Sequence, residues 1–172
     1  MSLLNEMKLK DLERKGHLYY ANSTSDIARL EEAIICGISK NQFDGLWFCS
    51  YAIPLFTDLD ISIRVSLMER EHKKDKYGFV MTLDQDKISK KVKKHIRNYL
   101  PIGNTGRLSS IPINKRAIDG VYLFDFVGDK KELSLQSKYL QEKYGVCSRA
   151  SRVYTRRQGN LTNLLAQELK IS

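Results

Sequence analysis

The sequence predicts an α+β fold: an antiparallel sheet with helices on one face and a ferredoxin-like C-terminal half. Three observations carry it. Residues 77–155 run strand, helix, strand, strand, helix, strand. Residues 58–68 alternate between apolar and polar, the period of a half-buried strand. Residues 27–38 and 131–144 instead repeat buried-type side chains every three to four positions, the period of a helix.

In chain order, Met1 to Gly16 forms a polar, partly helical arm, and His17 to Asn22 opens with a strand-like His-Leu-Tyr-Tyr. Ser23-Thr-Ser-Asp offers side-chain acceptors for a helix start. The helix after it carries Ile27, Leu30, Ile34 and Ile38 on one stripe, with Gly37 near its end. Asp44-Gly45 marks a turn. Leu46 to Ile53 is a buried strand that Pro54 limits to an end or an edge. Asp58 to Met68 is the clearest strand, with Leu59, Ile61, Ile63, Val65 and Leu67 on one face. Glu69 to Lys76 is a charged boundary or loop. Tyr77 to Leu83 is a strand, Asp84 to Leu100 a basic helix and Pro101 to Gly106 a loop. Arg107 to Ile113 is a strand, Asn114 to Gly120 a turn region and Val121 to Val127 a strand. Lys131 to Tyr144 is a helix carrying Leu133, Ser137, Leu140 and Tyr144 on one stripe and capped by Gly145. Val146 to Thr155 is a strand and Leu161 to Leu169 a closing helix.

The 172 residues are 42% hydrophobic, enough for one well-buried domain or two very small ones. The divisions fall at 1–16, the arm; 17–75, a βαββ-like half; and 76–172, the ferredoxin-like half. The two halves stand apart or merge into one continuous domain. No apolar run reaches the length of about 20 residues that a membrane helix needs, and the N-terminus lacks a signal-peptide core. Cys36, Cys49 and Cys147 lack zinc-knuckle spacing; Cys36 and Cys49 read as core thiols. These features point to a reducing, cytoplasmic setting without a membrane partner.

The net charge is +9 and the pI about 9.4, which makes nucleic acid the first candidate partner. From Lys87 to Arg97 the chain carries Lys87, Lys90, Lys91, Lys93, Lys94 and Arg97 with no acid among them. Ile88, Val92, Ile96 and Tyr99 form the apolar stripe of a helix whose cations would face phosphates. A second cluster comprises Arg149, Arg152, Arg156 and Arg157, where Arg152, Tyr154 and Arg156 share a strand face. Cations flanking a ring suit backbone contact and base stacking.

Asp58 and Asp60 share a face of the expected 58–68 strand. Paired carboxylates there could hold Mg²⁺ for phosphodiester hydrolysis. His17, His72 and His95 have no metal-ligand spacing, so no protein-bound metal site is assigned. Trp47 belongs to the core. Gly103-Asn-Thr-Gly-Arg-Leu-Ser-Ser lacks the Gly-Lys-Ser/Thr of a Walker loop but could form an anion nest.

Three partial resemblances add expectations. The element order of 77–155, with Ser110-Ile-Pro112 and Tyr122-Leu-Phe-Asp-Phe, resembles amino-acid-sensing ACT domains, without their Gly-x-Leu turn. It implies a ligand-sensing regulatory domain that dimerises through its sheet edges. Leu133 to Arg149, with Leu140-Gln-Glu-Lys-Tyr-Gly-Val, is similar to the latter part of LAGLIDADG homing endonucleases, without their acidic helix motif. It implies a metal-dependent endonuclease. His17-Leu-Tyr-Tyr through Trp47-Phe-Cys-Ser resembles the opening of ADP-ribosyltransferase-type folds. From the residues themselves, the leading expectation is DNA or RNA binding through Lys90, Lys91, Lys94, Arg97 and the Arg149–Arg157 strand.

Overall fold

The computed structural model describes residues 16–43, 51–100, 103–125 and 130–152. In chain order these form β1 (His17–Thr24), α1 (Ile27–Cys36), β2 (Ile53–Phe56), α2 (Leu59–Lys73), β3 (Tyr77–Asp84) and a 3-10 turn (Gln85–Lys87). There follow α3 (Lys90–Lys93), β4 (Ile96–Asn98), β5 (Gly106–Ser109), a second 3-10 turn (Lys115–Ala117), β6 (Ile118–Asp125), α4 (Lys130–Tyr144) and β7 (Cys147–Arg152). The strands make one seven-stranded sheet in the order β4-β5-β2-β1-β3-β6-β7. All its pairs are antiparallel except β6 with β7. The α+β class and the mostly antiparallel sheet are as the sequence predicts.

The strand order is not ferredoxin-like. In that arrangement β3 would lie between β6 and β7. Here β3 pairs with β1 and β6, while β5 pairs with β2 across the sheet. The reason is the long match between β1 and β3, which pair over eight residues from His17↔Asp84 to Thr24↔Tyr77. Strands from residues 17–75 and from 76–172 thus share one sheet.

The helices also do not lie on one face. Leu18, Tyr20, Phe79, Met81, Val121 and Leu123 pack with Leu30 and Ala33 of α1, Val92 of α3, and Leu133 and Leu140 of α4. Tyr19, Ala21, Val80, Tyr122 and Phe124 pack with Leu59, Ile63, Leu67 and Met68 of α2 on the other side. Alternate side chains of a strand point to opposite faces. Both faces of these central strands are apolar, so both need a cover, and three layers result.

The expected strand at 58–68 is a helix, and the expected loop at 69–76 is mostly its continuation. Asp58 is the N-cap, its carboxylate accepting from Ile61 N at 3.0 Å. Leu59, Ile63 and Leu67 then fall four apart on the buried face. Ser62 and Ser66 also face inward, and Ser66 Oγ donates to Asn22 O at 3.0 Å. Gly78 on β3 allows this close approach: a Cβ there would lie 2.6 Å from Ser66 Oγ.

The basic helix expected over 84–100 is broken into the first 3-10 turn, the single turn α3 and strand β4. A continuous helix would stack Lys87 on Lys91 and Lys90 on Lys94, like-charged pairs at i,i+4. The chain instead buries Ile88 and Val92 and leaves the helix to pair Ile96–Asn98 with β5. The strand expected at 107–113 is shorter, and Ile113 bridges Ile38 outside it. β2 is interior, yet it meets β1 only at Tyr19↔Phe56, so Pro54 leaves no ladder donor missing there. Cys36, expected in the core, is exposed at the end of α1. The arm before Gly16, Trp47, Cys49 and the closing helix at 161–169 lie outside the described residues. Among the described residues, no helix is long and apolar enough to cross a membrane.

Two joints hold α1. At its C-cap, Gly37 adopts φ +92° and a Cβ would stand 2.2 Å from Ile113 O. On its flank, Glu31 accepts from the hydroxyls of Tyr139 and Tyr144 and from Lys143 Nζ, all on α4. The Tyr139 bond foremost, then Tyr144 and Lys143, outweigh burial and hold the Glu31 carboxyl below its ordinary range.

Gly37→Ala is expected to destabilise the fold by more than about 1 kcal/mol, measured by chemical denaturation, because both the left-handed backbone and the Ile113 carbonyl oppose a Cβ. Glu31→Gln is expected to lower Tm by roughly 2–4 °C near neutral pH, read by differential scanning calorimetry. A depressed native carboxyl contributes stability above its unfolded pKa and loses it as pH falls through the native value. The difference between wild type and Glu31→Gln should therefore shrink below about pH 4, and a constant difference would contradict this role.

Candidate nucleic-acid interface

The segment from Lys87 to Ala117 runs from the end of β3 through the edge strand β4 and its neighbour β5 to the start of β6, and is held by a few polar ties. Asp84 caps the first 3-10 turn through Asp86 N. Ser89 caps α3, its Oγ accepting from Val92 N at 3.3 Å. Asn114 joins this stretch to the second 3-10 turn: its Oδ1 accepts from Ser89 N at 3.0 Å and its Nδ2 donates to Lys87 O at 2.9 Å. With Ile88 and Val92 buried, Lys90, Lys91, Lys93 and Lys94 are left exposed. Arg97 on β4 is exposed, as are Lys115 and Arg116 on the adjoining turn.

The charge of the chain is segregated here. The sequence holds 29 basic and 20 acidic residues; residues 87–117 contain nine of the basic and none of the acidic, so the remaining 20 and 20 cancel. Asp84 lies 4.0 Å from Lys87. Among the described residues, Lys90, Lys91, Lys93, Lys94, Arg97, Lys115 and Arg116 have no carboxylate within 4.0 Å. Of these, Lys115 and Arg116 escape a search for a basic helix, as does Arg107. An acid-free window carried on to residue 117 would have found them.

The second basic cluster lies elsewhere. Arg149 is exposed on β7, and Arg152 ends that strand. Tyr154, Arg156 and Arg157 lie outside the described residues. β4 and β7 are the two opposite edges of the sheet. Six strand spacings separate them, roughly 29 Å. The fold therefore does not merge the Lys90–Arg97 and Arg149–Arg152 groups into one surface.

The acidic candidates do not converge. Asp58 is committed to its cap, and Asp60 pairs with Arg64 on the next turn at 3.1 Å. No cluster of three or more His, Cys, Asp or Glu suited to a metal occurs among the described residues. His17 is 3.1 Å from Asp119, and His95 Nδ1 lies 2.8 Å from Lys91 O. In the glycine loop two backbone donors are taken, since Gly103 N donates to Leu100 O and Gly106 N to Gly103 O.

Among the described residues, two of the concave sites bear on this frame. A polar cleft beyond the end of β1 contains Ser23, Ser25, Lys73 and Asp75, whose groups largely satisfy one another. Asp75 accepts from Ser23 and Ser25 and lies 3.2 Å from Lys73, which donates to Asn22 Oδ1 at 2.8 Å. The other site opens beside β4 and includes Lys93 and Arg107. No protein-family model matches the chain, and no curated protein matches it.

Asp58→Ala is expected to cost about 1 kcal/mol of stability, the usual loss of an N-cap. Urea unfolding measures it; an unchanged midpoint would contradict the capping role.

Proposed function

We propose that this chain binds nucleic acid through the basic edge strand β4 and the basic surface that continues from it over α3 to the two 3-10 turns. One observation carries the proposal: the whole net charge of the chain falls in one acid-free segment, whose parts the Asn114 ties and the β4–β5 pairing hold together. Solubility alone would be served as well by scattered charge. Lysines on an edge strand also oppose edge-to-edge pairing. That role accounts for Arg97 on β4 but not for Lys115 and Arg116 on a separate turn. A run of unpaired cations is what phosphates need, because each contact releases a condensed counterion.

Binding of this kind is salt-dependent and weak in sequence preference, since phosphate contacts carry no sequence information directly. The edge has neither a helix long enough to read the major groove nor, among the described residues, a carboxylate set for cleavage. Phosphate-backbone binding is the function the site supports best.

The double variant Lys90→Glu/Lys94→Glu is expected to lower affinity for a labelled oligonucleotide at least tenfold at about 50 mM salt. Its plot of log K against log salt should flatten by about 2, near one unit per lost phosphate contact. Fluorescence anisotropy across a salt series measures both. Unchanged affinity in a folded variant would remove this edge from the interface.

A further inference from the structure

The pocket beside β4 is chemically unlike the rest of the basic edge. Its volume is about 350 Å³, within the range of small-ligand sites. Leu18, Ile88 and Ile96 give it an aliphatic lining. Around them stand the cations Lys93 and Arg107 and the carboxamides of Gln85 and Asn98, with no carboxylate in the lining. Arg107 is held in place by its own loop: its Nη1 donates to Asn104 O at 3.2 Å and to Gly106 O at 2.8 Å. That leaves its Nε and Nη2 hydrogens, the pair that grips an oxyanion side-on. Among the described residues, the side chains of Gln85, Lys93 and Asn98 make no hydrogen bond to protein. The polar cleft beyond β1 differs on this point, since its groups are largely engaged with one another.

An apolar lining, a fixed guanidinium, a lysine and free carboxamides together match one ligand chemistry. A nucleobase has a flat face for the aliphatic side chains and edge donors and acceptors for the carboxamides. Its phosphate has the charge for Lys93 and Arg107. We infer that this pocket takes a single nucleotide unit, with the base on the aliphatic lining and the phosphate at Lys93 and Arg107. The inference rests on the nucleic-acid reading and deepens it. A paired base is not available to such a pocket without unstacking and unpairing, at a cost of a few kcal/mol. The basic edge therefore selects single strands.

The test uses the full chain with four probes: adenosine 5′-monophosphate, inorganic phosphate, a single-stranded 12-mer and the matching duplex. Amide chemical shifts report the pocket, and anisotropy reports the two oligonucleotides. Adenosine 5′-monophosphate is expected to shift Ile96, Asn98 and Arg107, and inorganic phosphate at equal concentration to shift them less. The single strand is expected to bind at least tenfold tighter than the duplex. Asn98→Ala, which changes no charge, should narrow that ratio severalfold and leave duplex affinity within twofold. Arg107→Gln should weaken the nucleotide at least tenfold, and a dispersed amide spectrum certifies each variant as folded. Equal single-strand and duplex affinity, with no nucleotide-induced shifts, would overturn the inference. A steep salt slope in that same experiment would leave the electrostatic reading standing. Nucleotide-induced shifts with no oligonucleotide binding at low salt would instead overturn that reading, and the pocket would be a site for the free nucleotide.

Discussion

The antiparallel ladder between β1 and β3 is the constraint from which the rest of the molecule follows. Eight residues of each strand pair in continuous register, and nearly all are buried. Such a ladder needs a cover on both faces. α2 supplies one with Leu59, Ile63 and Leu67, while α1, α3 and α4 supply the other. Burial of each large aliphatic side chain contributes about 1.5–3 kcal/mol, far more than any single surface ion pair. The remaining strands extend outward from this pair, and the ends of the sheet become the least buried parts of the frame.

That placement explains how the chain carries an unbalanced run of cations. Two lysines about 4 Å apart in water repel by roughly 1 kcal/mol, and salt reduces the effect further. Ile88 and Val92, each nearly buried, together offset several such repulsions. The ties from Asn114 to both Ser89 and Lys87 satisfy backbone groups that a continuous helix would have satisfied internally. The segment is anchored by its apolar residues and capped by short polar ones, and its cations stay in water. At a central strand the same charges would lose their hydration without partners.

The fold class was legible in the sequence because it depends on local periods. The helices at α1 and α4 and the strands at β3 and β6 stand near their expected places. Residues 58–68 misled because a row of alternate positions contains every fourth position too. Leu59, Ile63 and Leu67 satisfy both templates, and the Asp58 cap and the inward serines decide for the helix. Residues 84–100 misled in the other direction. Ile88 and Val92 follow helical spacing, but Ile96 continues onto a strand, and Tyr99 packs with the cluster on the opposite face. The strand order was not legible, because nothing local in β5 says that β2 rather than β6 will be its neighbour. Of the basic candidates, Lys90, Lys91, Lys94 and Arg97 share an edge. Arg107 joins it only through the pairing of β5 with β4, and Lys115 and Arg116 are brought to the Lys87–Ser89 stretch only by the Asn114 ties, which no period records.

The central claim is that the charge gathered at the β4 edge is the binding surface. Lysine acylation followed by mass spectrometry, with and without a saturating oligonucleotide at low salt, tests it most directly. The account expects Lys90, Lys91 and Lys94 to lose reactivity in the complex, while the exposed Lys74 and Lys138 keep theirs. Protection of Lys74 and Lys138 with the β4 edge still reactive would contradict it.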